Sequence, residues 1–305
     1  MDIYSVKDKK IIHIEESEFK LEKDIQKLCD ENLKDLFDLE LVKSQFTIQN
    51  FRIDTLAFDD KAKAFVVIEY KKNENFSVVD QGYAYLSLVL NNKAECVLAY
   101  NESQRKPIRK EEVDWTQTRV MFIAPSFTPY QVQSINFKDL PIELWEIKKY
   151  ANETIGVNQI QPSGASESIK TISKKSKTVE EVSKEIKVYT EDDHFSGVSD
   201  GIKELYEKLK VLVLSIGGDI KIKTTKSYIA FISKTNFASV HIYKTVLKVW
   251  LNLKKGELND PKGVARDVSQ VGHWGNGDYA LYISNDEDLD YILSLIKQSY
   301  KKNSA

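Results

Sequence analysis

Cysteine is scarce in this chain of 305 residues, which has two, Cys29 in a helical pattern and Cys96 in an apolar run. A small secreted domain held by disulfides would need more, so we expect two reduced, buried thiols in a cytoplasmic protein. The two cysteines and four histidines form no zinc-binding spacing. No apolar run approaches the roughly 20 residues that span a bilayer, and the polar N-terminus lacks an apolar signal core. We therefore expect no membrane partner.

Strong net charge is also lacking, because the formal net charge is -2. The charge is distributed unevenly: residues 1–152 carry 22 Lys and Arg against 26 Asp and Glu, whereas residues 197–305 carry 16 against 12. A mildly basic C-terminal part is compatible with an anionic ligand. Hydrophobic residues make up 42% of the chain and charged residues 30%, so it can bury sizeable cores.

The order of predicted elements indicates two domains. Residues 1–150 give helix, two strands, helix and two strands, with helices over 17–37 and 77–92 and with "AECVLAYN" and "RVMFIAPSF" as short buried strands. Residues 151–196 are rich in Ser, Thr, Lys and Glu, which is typical of a flexible linker with room for a short helix. Residues 197–305 alternate in strand fashion between two amphipathic helices. We expect an α/β N-terminal domain, with a mixed sheet flanked by helices, and a smaller α+β C-terminal domain.

The stretch "FRIDTLAFDDKAKAFVVIEYKK", residues 51–72, predicts a β-hairpin with one acid in each strand. If the turn is centred between Lys61 and Ala62, Asp54 lies opposite Glu69. Directly opposed side chains have Cβ atoms about 4.5–5.5 Å apart, and two like charges at that distance repel each other. A one-residue slip of the register would place the two carboxylates on opposite faces.

A divalent cation between the two carboxylates would explain such a pair, because Mg²⁺ prefers carboxylate oxygens and keeps several waters. The period of a strand places Lys71 on the same face as Glu69. Two acids with a cation and an ammonium suit water attack on a phosphodiester. The alternative is an exposed hairpin with ordinary ion pairs. The run "FVVI" before Glu69 favours a buried strand and hence the functional interpretation.

Asp54 followed fifteen residues later by Glu69-Tyr70-Lys71 resembles the PD-(D/E)xK nuclease superfamily, whose fold is restriction endonuclease-like. Ile53 stands where that motif has its leading proline. The resemblance covers roughly residues 20–125. It implies a further acid on the preceding helix, which would be Glu22 in "LEKDIQKL", with Glu31 as the fallback.

The stretch "DQGYAYL" is similar to the Q-x-x-x-Y pattern of RecB-like members of the superfamily, with Gln81 and Tyr85 in the matching positions. At this spacing the two side chains share one face of a helix, where an amide and a phenol could hold phosphate or steady a metal site. The alternative for Tyr85 is a core aromatic, because it has helical spacing with Leu88.

The C-terminal block resembles a prokaryotic domain of uncharacterised role, DUF5655, which is sometimes labelled a predicted transport protein. The stretch "RDVSQVGHWGNGDYALYI" carries the resemblance, together with "LYEKLK". Alternation in "VLKVWLNLKK" places Lys248 and Trp250 on one strand face, where a ring could stack on a base while lysines hold phosphates. The candidate nucleic-acid contacts are Lys223, Lys226, Tyr228, Lys248, Trp250, His273 and Trp274. The alternatives are a covered Trp250, and His273 and Trp274 that only fix a turn.

The resemblance implies an Mg²⁺-dependent DNA endonuclease or exonuclease in prokaryotic defence or repair, with Mn²⁺ as a substitute metal and DNA as the partner. Many nucleases of this type act as dimers, so a homodimer is compatible with it. Glu22, Asp54 and Glu69 would hold the metal, and the catalytic set would be Asp54, Glu69, Lys71, Gln81 and Tyr85. One alternative is an inactive nuclease fold that binds nucleic acid or protein. Another is a small-ligand sensor whose receptor is the C-terminal block.

Overall fold

The computed structural model describes residues 2–72, 77–104, 106–137, 139–162, 167–169, 176–271 and 277–304. The chain divides into two compact units, Met1–Val188 and Tyr189–Ala305. Within the described residues, no helix combines the length and apolar character that crossing a membrane requires.

The first unit contains six α-helices and nine strands within its described residues. The helices are α1 Glu22–Glu31, α2 Leu33–Phe37, α3 Val78–Asn91, α4 Lys93–Ser103, α5 Pro129–Ser134 and α6 Lys177–Glu185. The strands are β1 Ile3–Lys7, β2 Lys10–Ile14, β3 Glu16–Ser17, β4 Glu40–Ile48, β5 Phe51–Asp59, β6 Ala64–Tyr70, β7 Arg119–Ala124, β8 Ile142–Tyr150 and β9 Ile155–Ile160.

The main sheet of this unit has the order β3-β8-β7-β6-β5-β4, with β9 added on β8. Strands β6, β7 and β8 are parallel neighbours, and the other pairs in the sheet are antiparallel. Every residue of β6 is buried, as its apolar run predicts for a strand covered on both faces. Helices α1 and α2 pack on one face, and α3 and α4 cover the other. The expected mixed α/β architecture is confirmed.

The second unit has an antiparallel sheet and two helices in its described part. The helices are α7 Asp200–Leu214 and α8 Leu289–Asn303. The strands, β10 Lys221–Thr224, β11 Ile229–Ile232, β12 Asn236–Ile242, β13 Leu247–Leu251, β14 Arg266–Asp267 and β15 Tyr279–Ile283, follow the order β10-β11-β12-β13-β15-β14. Leu247, Val249 and Leu251 share the core with α7 and α8, as the alternation predicts.

Three expectations from the sequence differ from this structure. "AECVLAYN" belongs to the helix α4, in which Cys96, Ala99 and Tyr100 are buried at helical spacing, so its apolar run is a helix face and the expectation of a strand is wrong. The helix expected over 17–37 is two helices that meet at Asn32. Residues 151–196, expected as a linker, contain β9 paired with β8 and α6 packed beside α3.

Gly82 lets α3 approach the sheet closely. A Cβ atom at this position would lie 2.4 Å from Cδ1 of Ile142 and 3.0 Å from its Cγ1. We expect Gly82→Ala to lower the free energy of unfolding by about 1–3 kcal/mol, because the buried Ile142 must move in a packed core. Urea unfolding followed by circular dichroism measures this change. Gly201→Ala is the control, since nothing lies within 4 Å of a Cβ there, and an equal effect at both positions would contradict the packing argument.

Candidate active site

Asp54 lies where the ladder between β5 and β6 ends. The register runs from Asp59 opposite Ala64 to Thr55 opposite Ile68, which confirms the predicted hairpin register. Asp59 Oδ1 closes the turn by accepting the N–H groups of Lys61 and Ala62. One residue beyond the ladder, Asp54 Oδ2 accepts the backbone N–H of Tyr70 at 3.1 Å. The Asp54 carboxylate thus lies between the ends of the two strands, where the backbone N–H of Tyr70 holds it.

Glu69 and Lys71 form a short ion pair beside it. Lys71 Nζ lies 2.7 Å from Glu69 Oε1, so the predicted shared face is confirmed. Glu69 is buried, and besides Lys71 its carboxylate has a hydrogen bond with the side chain of Tyr85. The buried carboxylate of Glu69 is thus held by one ammonium and one phenol, as buried charged groups usually are.

The pKa shifts of the two acids show that their carboxylates interact. The pKa of Glu69 is raised, mainly by burial and next by the charge of Asp54, while Lys71 opposes the rise. Burial likewise raises the pKa of Asp54, against the opposing effects of the Tyr70 N–H and Lys71. Two neighbouring carboxylates that both resist ionisation form a site that favours a cation.

Tyr85 of α3 reaches the same carboxylates, and Gln81 lies one turn before it. Burial raises the pKa of Tyr85, and the charges of Glu69 and then Asp54 raise it further, so the phenol keeps its proton at neutral pH. The Oε1 atom of Gln81 is buried and has no partner among the described residues. Ser77 caps α3 by accepting the N–H of Asp80, so a local capping signal fixes the start of the helix.

Glu22 lies near Asp54 and Glu69 but does not form a three-carboxylate cluster with them. Its Oε2 accepts the backbone N–H of Lys72 at 2.9 Å, and its charge contributes to the raised pKa of Asp54. Among the described residues, no three His, Cys, Asp or Glu side chains are grouped closely enough to hold a metal ion. The expected metal set of Glu22, Asp54 and Glu69 is therefore not assembled as a triad, whereas Asp54 and Glu69 are adjacent.

Two carboxylates are nevertheless a sufficient protein contribution for Mg²⁺, which is commonly held by one or two carboxylates and several waters. The desolvation of Asp54 and Glu69 and the repulsion between their charges fit a divalent cation at this point. Softer metals that prefer thiolates do not fit, because the described cysteines, Cys29 and Cys96, are buried in the two cores.

A network of polar side chains on the α1 side of the sheet holds the backbone of Asp54 in place. Asp30 accepts hydrogen bonds from Ser44 at 2.7 Å, from Thr55 at 2.6 Å and from the hydroxyl of Tyr70 at 2.9 Å. Gln26 donates to the main-chain oxygen of Asp54 at 2.7 Å. Sequence reasoning missed this network. Its signal was a polar pair, Gln26 and Asp30, at helical spacing on the buried side of α1.

Gln45 in β4 has a strained backbone and contacts Asp54. Its φ is 51°, in the left-handed region that non-glycine residues rarely adopt. Its Nε2 atom donates to Gln26 Oε1 at 2.7 Å and to Asp54 Oδ1 at 3.4 Å. Strain that persists at a candidate site is an indication of function.

A pair of variants separates the strain at this position from the hydrogen bonds. We expect Gln45→Gly to be more stable than Gln45→Ala by about 1 kcal/mol, because only Gly relieves the left-handed conformation. Both variants lack the amide, so both should lower any activity that depends on Asp54. Chemical denaturation of the two proteins measures the difference, and equal stability would show that the backbone at Gln45 is not strained.

Asp54 also contributes to the wall of a cleft of about 620 Å³ between α1 and strands β4 and β5. Acidic residues on the wall include Glu22 and the fallback acid Glu31. Three cations, Lys23, Lys27 and Arg52, belong to the same lining. In the described part of the chain, these cations form no ion pair, although many lysines of this protein do. The cleft therefore combines four acidic residues with three cations that remain available to an anion.

The candidate nucleic-acid contacts of the second unit differ in exposure. Trp250 and Tyr228 are each 6% exposed, so the expectation of an open stacking surface at these rings is wrong. Trp250 packs with Val268 and Ala280 on the sheet face opposite the helices. Lys223 and Lys248 are half-buried and Lys226 is exposed. The candidates His273 and Trp274 lie outside the described residues.

Comparison with known proteins places the chain in a family. It is 48% identical over 301 residues to a Haemophilus influenzae (strain Rd) protein described as uncharacterized, an alignment that covers 99% of this chain and 100% of the relative. Residues 191–303 match DUF5655, a domain of unknown function. No solved structure matches the chain. The chain therefore belongs to the family of the H. influenzae protein, and its C-terminal unit carries a DUF5655 domain.

Proposed function

We propose that the first unit is a metal-dependent nuclease with a PD-(D/E)xK, restriction endonuclease-like fold, which hydrolyses phosphodiester bonds in DNA. Prokaryotic defence or repair is the setting that we expect. The observation that carries the proposal is the meeting of Asp54, Glu69 and Lys71 at the end of one hairpin ladder. Ordinary surface acids are exposed and lie apart from one another. Here the two acids are desolvated, repel each other and lie next to an ammonium, which is typical of a functional site.

Asp54 and Glu69 would hold Mg²⁺, with Mn²⁺ as a substitute, and the cation would lower the pKa of water and offset the charge of the phosphate. During hydrolysis the water oxygen bonds to phosphorus, the bond from phosphorus to the leaving sugar oxygen breaks, and the proton lost by water is balanced by one gained by the leaving oxygen. The ammonium of Lys71, held by Glu69, stabilises negative charge that develops on the phosphate.

Tyr85 and Gln81 support this chemistry from α3. The phenol of Tyr85 stays protonated because its pKa is raised, and its hydrogen bond with Glu69 would hold that carboxylate in position beside the metal. The buried Oε1 of Gln81 accepts a hydrogen bond from water or substrate, which would satisfy an atom that has no partner in the described part. Both are positioning roles in the proposal, and the main loss of rate is expected at Asp54, Glu69 and Lys71.

The cleft beside Asp54 gives the substrate strand a path. Its volume, about 620 Å³, is in the range of small-ligand pockets, roughly 300–1,000 Å³, and so suits a nucleotide-sized unit. Lys23 and Lys27 lie four residues apart on α1, on one face of the helix. We infer that they contact phosphates on the strand that leads to the reacting bond.

Removing one of these lysines should weaken DNA binding without abolishing it. We expect Lys27→Ala to reduce the slope of log affinity against log salt concentration by roughly 0.7–0.9, as one lost phosphate contact predicts. Fluorescence anisotropy with a labelled oligonucleotide, without added divalent metal, measures the slope. Lys106→Ala is the control, because Lys106 is exposed and lies outside the cleft lining. An unchanged slope for Lys27→Ala would place the strand elsewhere.

Cleavage of labelled single- and double-stranded DNA tests the proposed function. We expect the wild type and Lys106→Met to cleave with Mg²⁺ or Mn²⁺ and not with EDTA. We expect Lys71→Met to lose about 10²–10³-fold in rate, because it removes the cation that faces the phosphate. Metal-independent cleavage, or equal rates in both variants, would contradict the proposal.

The second candidate function is binding without catalysis, by a nuclease fold that has lost its chemistry. The absence of a three-acid group among the described residues favours it, since two carboxylates with one lysine can also be a purely structural cluster. DNA binding that weakens with salt, with no cleavage under any metal condition, would support this candidate and exclude the nuclease.

A further inference from the structure

In the described part of the second unit, one face of the sheet has no α-helix packed on it, and the 3-10 helix Glu191–Phe195 contacts strand β12. Helices α7 and α8 share the core with the opposite face. The five strands β10, β11, β12, β13 and β15 contain three lysines and one histidine but no Asp or Glu. Acids of this unit are concentrated elsewhere, for example at the start of α8. The face is therefore suited to an anion.

His241, Lys248 and Tyr282 are neighbours across β12, β13 and β15. His241 pairs with Lys248 in the register, and Lys248 pairs with Tyr282, so their side chains lie side by side on this face. Tyr243 follows two residues after His241, with ring centroids 5.7 Å apart. Tyr243 and Tyr282 are each 47% exposed, which leaves two phenol rings accessible beside the cation.

Lys248 is held by aromatic rings instead of by an acid. Its Nζ atom lies 4.2 Å from the ring centroid of Trp250 and 5.4 Å from that of Tyr282. Within the described residues it has no ion pair with a carboxylate, unlike Lys208 and Lys210 of the same unit. Cation–π contacts fix the ammonium without neutralising it. The charge is thus pre-positioned for an external anion.

Trp250 forms the floor under this cation. Its ring also meets His241 edge-on, at 5.1 Å between centroids, and its buried Nε1 has no hydrogen-bond partner in the described part of the chain. Because the ring is buried, it supports Lys248 and His241 instead of stacking on a ligand. The accessible stacking rings are those of Tyr243 and Tyr282.

We propose that this face binds single-stranded nucleic acid, with a phosphate at Lys248 and His241 and a base stacked on Tyr282. A cation beside accessible aromatic rings is the combination that single-strand binders use for backbone and base together. His241, Lys248, Tyr243 and Tyr282 lie together on the accessible part of this face, which suits a short stretch of strand. The proposal does not depend on cleavage by the first unit.

His241 provides an independent sign of the bound phosphate. Its pKa is lowered to about 4, mainly by burial and next by the charges of His194 and Lys248. The groups that face it from other elements are those two and the rings of Tyr228, Tyr243 and Trp250. None of these groups is acidic. A phosphate beside the imidazole favours its charged form, so binding should raise the pKa of His241 by about one unit or more.

The test uses the full chain, without divalent metal, and a labelled single-stranded oligonucleotide in fluorescence anisotropy. We expect Lys248→Met and Tyr282→Ala each to weaken binding about tenfold, and Tyr282→Phe to bind like the wild type because it keeps the ring. Lys297→Gln is the control, since it removes an exposed charge from α8. Circular dichroism establishes that each variant is folded.

Three outcomes would overturn the inference. Equal affinity of Lys248→Met, Tyr282→Ala and Lys297→Gln would show that the strand does not use this face. Equal binding of a mononucleotide and the oligonucleotide would identify a free nucleotide as the ligand. A His241 pKa, measured by NMR titration, that does not change with the oligonucleotide would place the phosphate elsewhere. If the protein does not cleave DNA but Lys248→Met and Tyr282→Ala still weaken oligonucleotide binding, the proposed nuclease activity is contradicted and the binding face is not.

Discussion

Asp54→Asn is expected to reduce the rate of metal-dependent DNA cleavage by about 10²–10³-fold or more while the protein stays folded. Asn retains an oxygen that can accept the Tyr70 N–H, so the hydrogen bond between the two strands is kept. It cannot supply the negative charge that a divalent cation requires. This variant should therefore lose the rate of DNA cleavage while it keeps the local geometry of the site.

Stability should change in the opposite direction to activity. The raised pKa of Asp54 means that burial disfavours its charged form in the folded protein. Replacing the carboxylate by a neutral amide also removes its repulsion of Glu69, so we expect the free energy of unfolding to be unchanged or higher. Asp60→Asn is the matched control, because Asp60 is an exposed acid of the same hairpin that pairs with Lys63. Normal cleavage by Asp54→Asn would remove Asp54 from the site.

Arg119→Ala is expected to lower the free energy of unfolding by about 3–5 kcal/mol. The side chain of Arg119 in β7 is 13% exposed, with Nη2 3.0 Å from Asp59 Oδ2 and Nε 2.8 Å from Glu143 Oε1. Removing the guanidinium leaves two carboxylates in the interior without their shared cation. Asp59 also closes the hairpin turn, so the damage should extend to the hairpin that carries Asp54 and Glu69.

Urea unfolding of Arg119→Ala beside Arg109→Ala measures this effect. Arg109 is an exposed arginine that pairs with Glu112, and exposed pairs contribute about 0–1 kcal/mol. A loss below about 1 kcal/mol for Arg119→Ala would show that water reaches the two acids. In that case the buried triad would not be what holds this end of the sheet.

The hairpin could be predicted from the sequence because its signals are local. The turn "DDKAK" and the fully buried β6, in which Glu69 is the one charged residue, fix the register, and the register brings Asp54 to Glu69. Lys71 then follows from the strand period alone. In this part of the site, short-range pattern and tertiary structure agree.

The rest of the site could not be predicted because it depends on contacts between distant segments. The network around Asp30 joins α1 to β4, β5 and β6, and single polar residues on a helix carry no sign of such partners. Strand β4 was missed because most of its side chains are polar or exposed and a bulge near Leu41 breaks its alternation. Helix α4 resembled a strand because Val97, Leu98 and Tyr100 also favour β-structure.

Isothermal titration calorimetry with Mn²⁺ shows whether Asp54 and Glu69 hold a cation, when the wild type is compared with Asp54→Asn, Glu69→Gln and Asp60→Asn. If Asp54 and Glu69 hold the cation, the wild type and Asp60→Asn should bind Mn²⁺, and the two site variants should lose that binding. Equal binding by all four proteins, or none by the wild type, would contradict the account and leave the two carboxylates as structural acids.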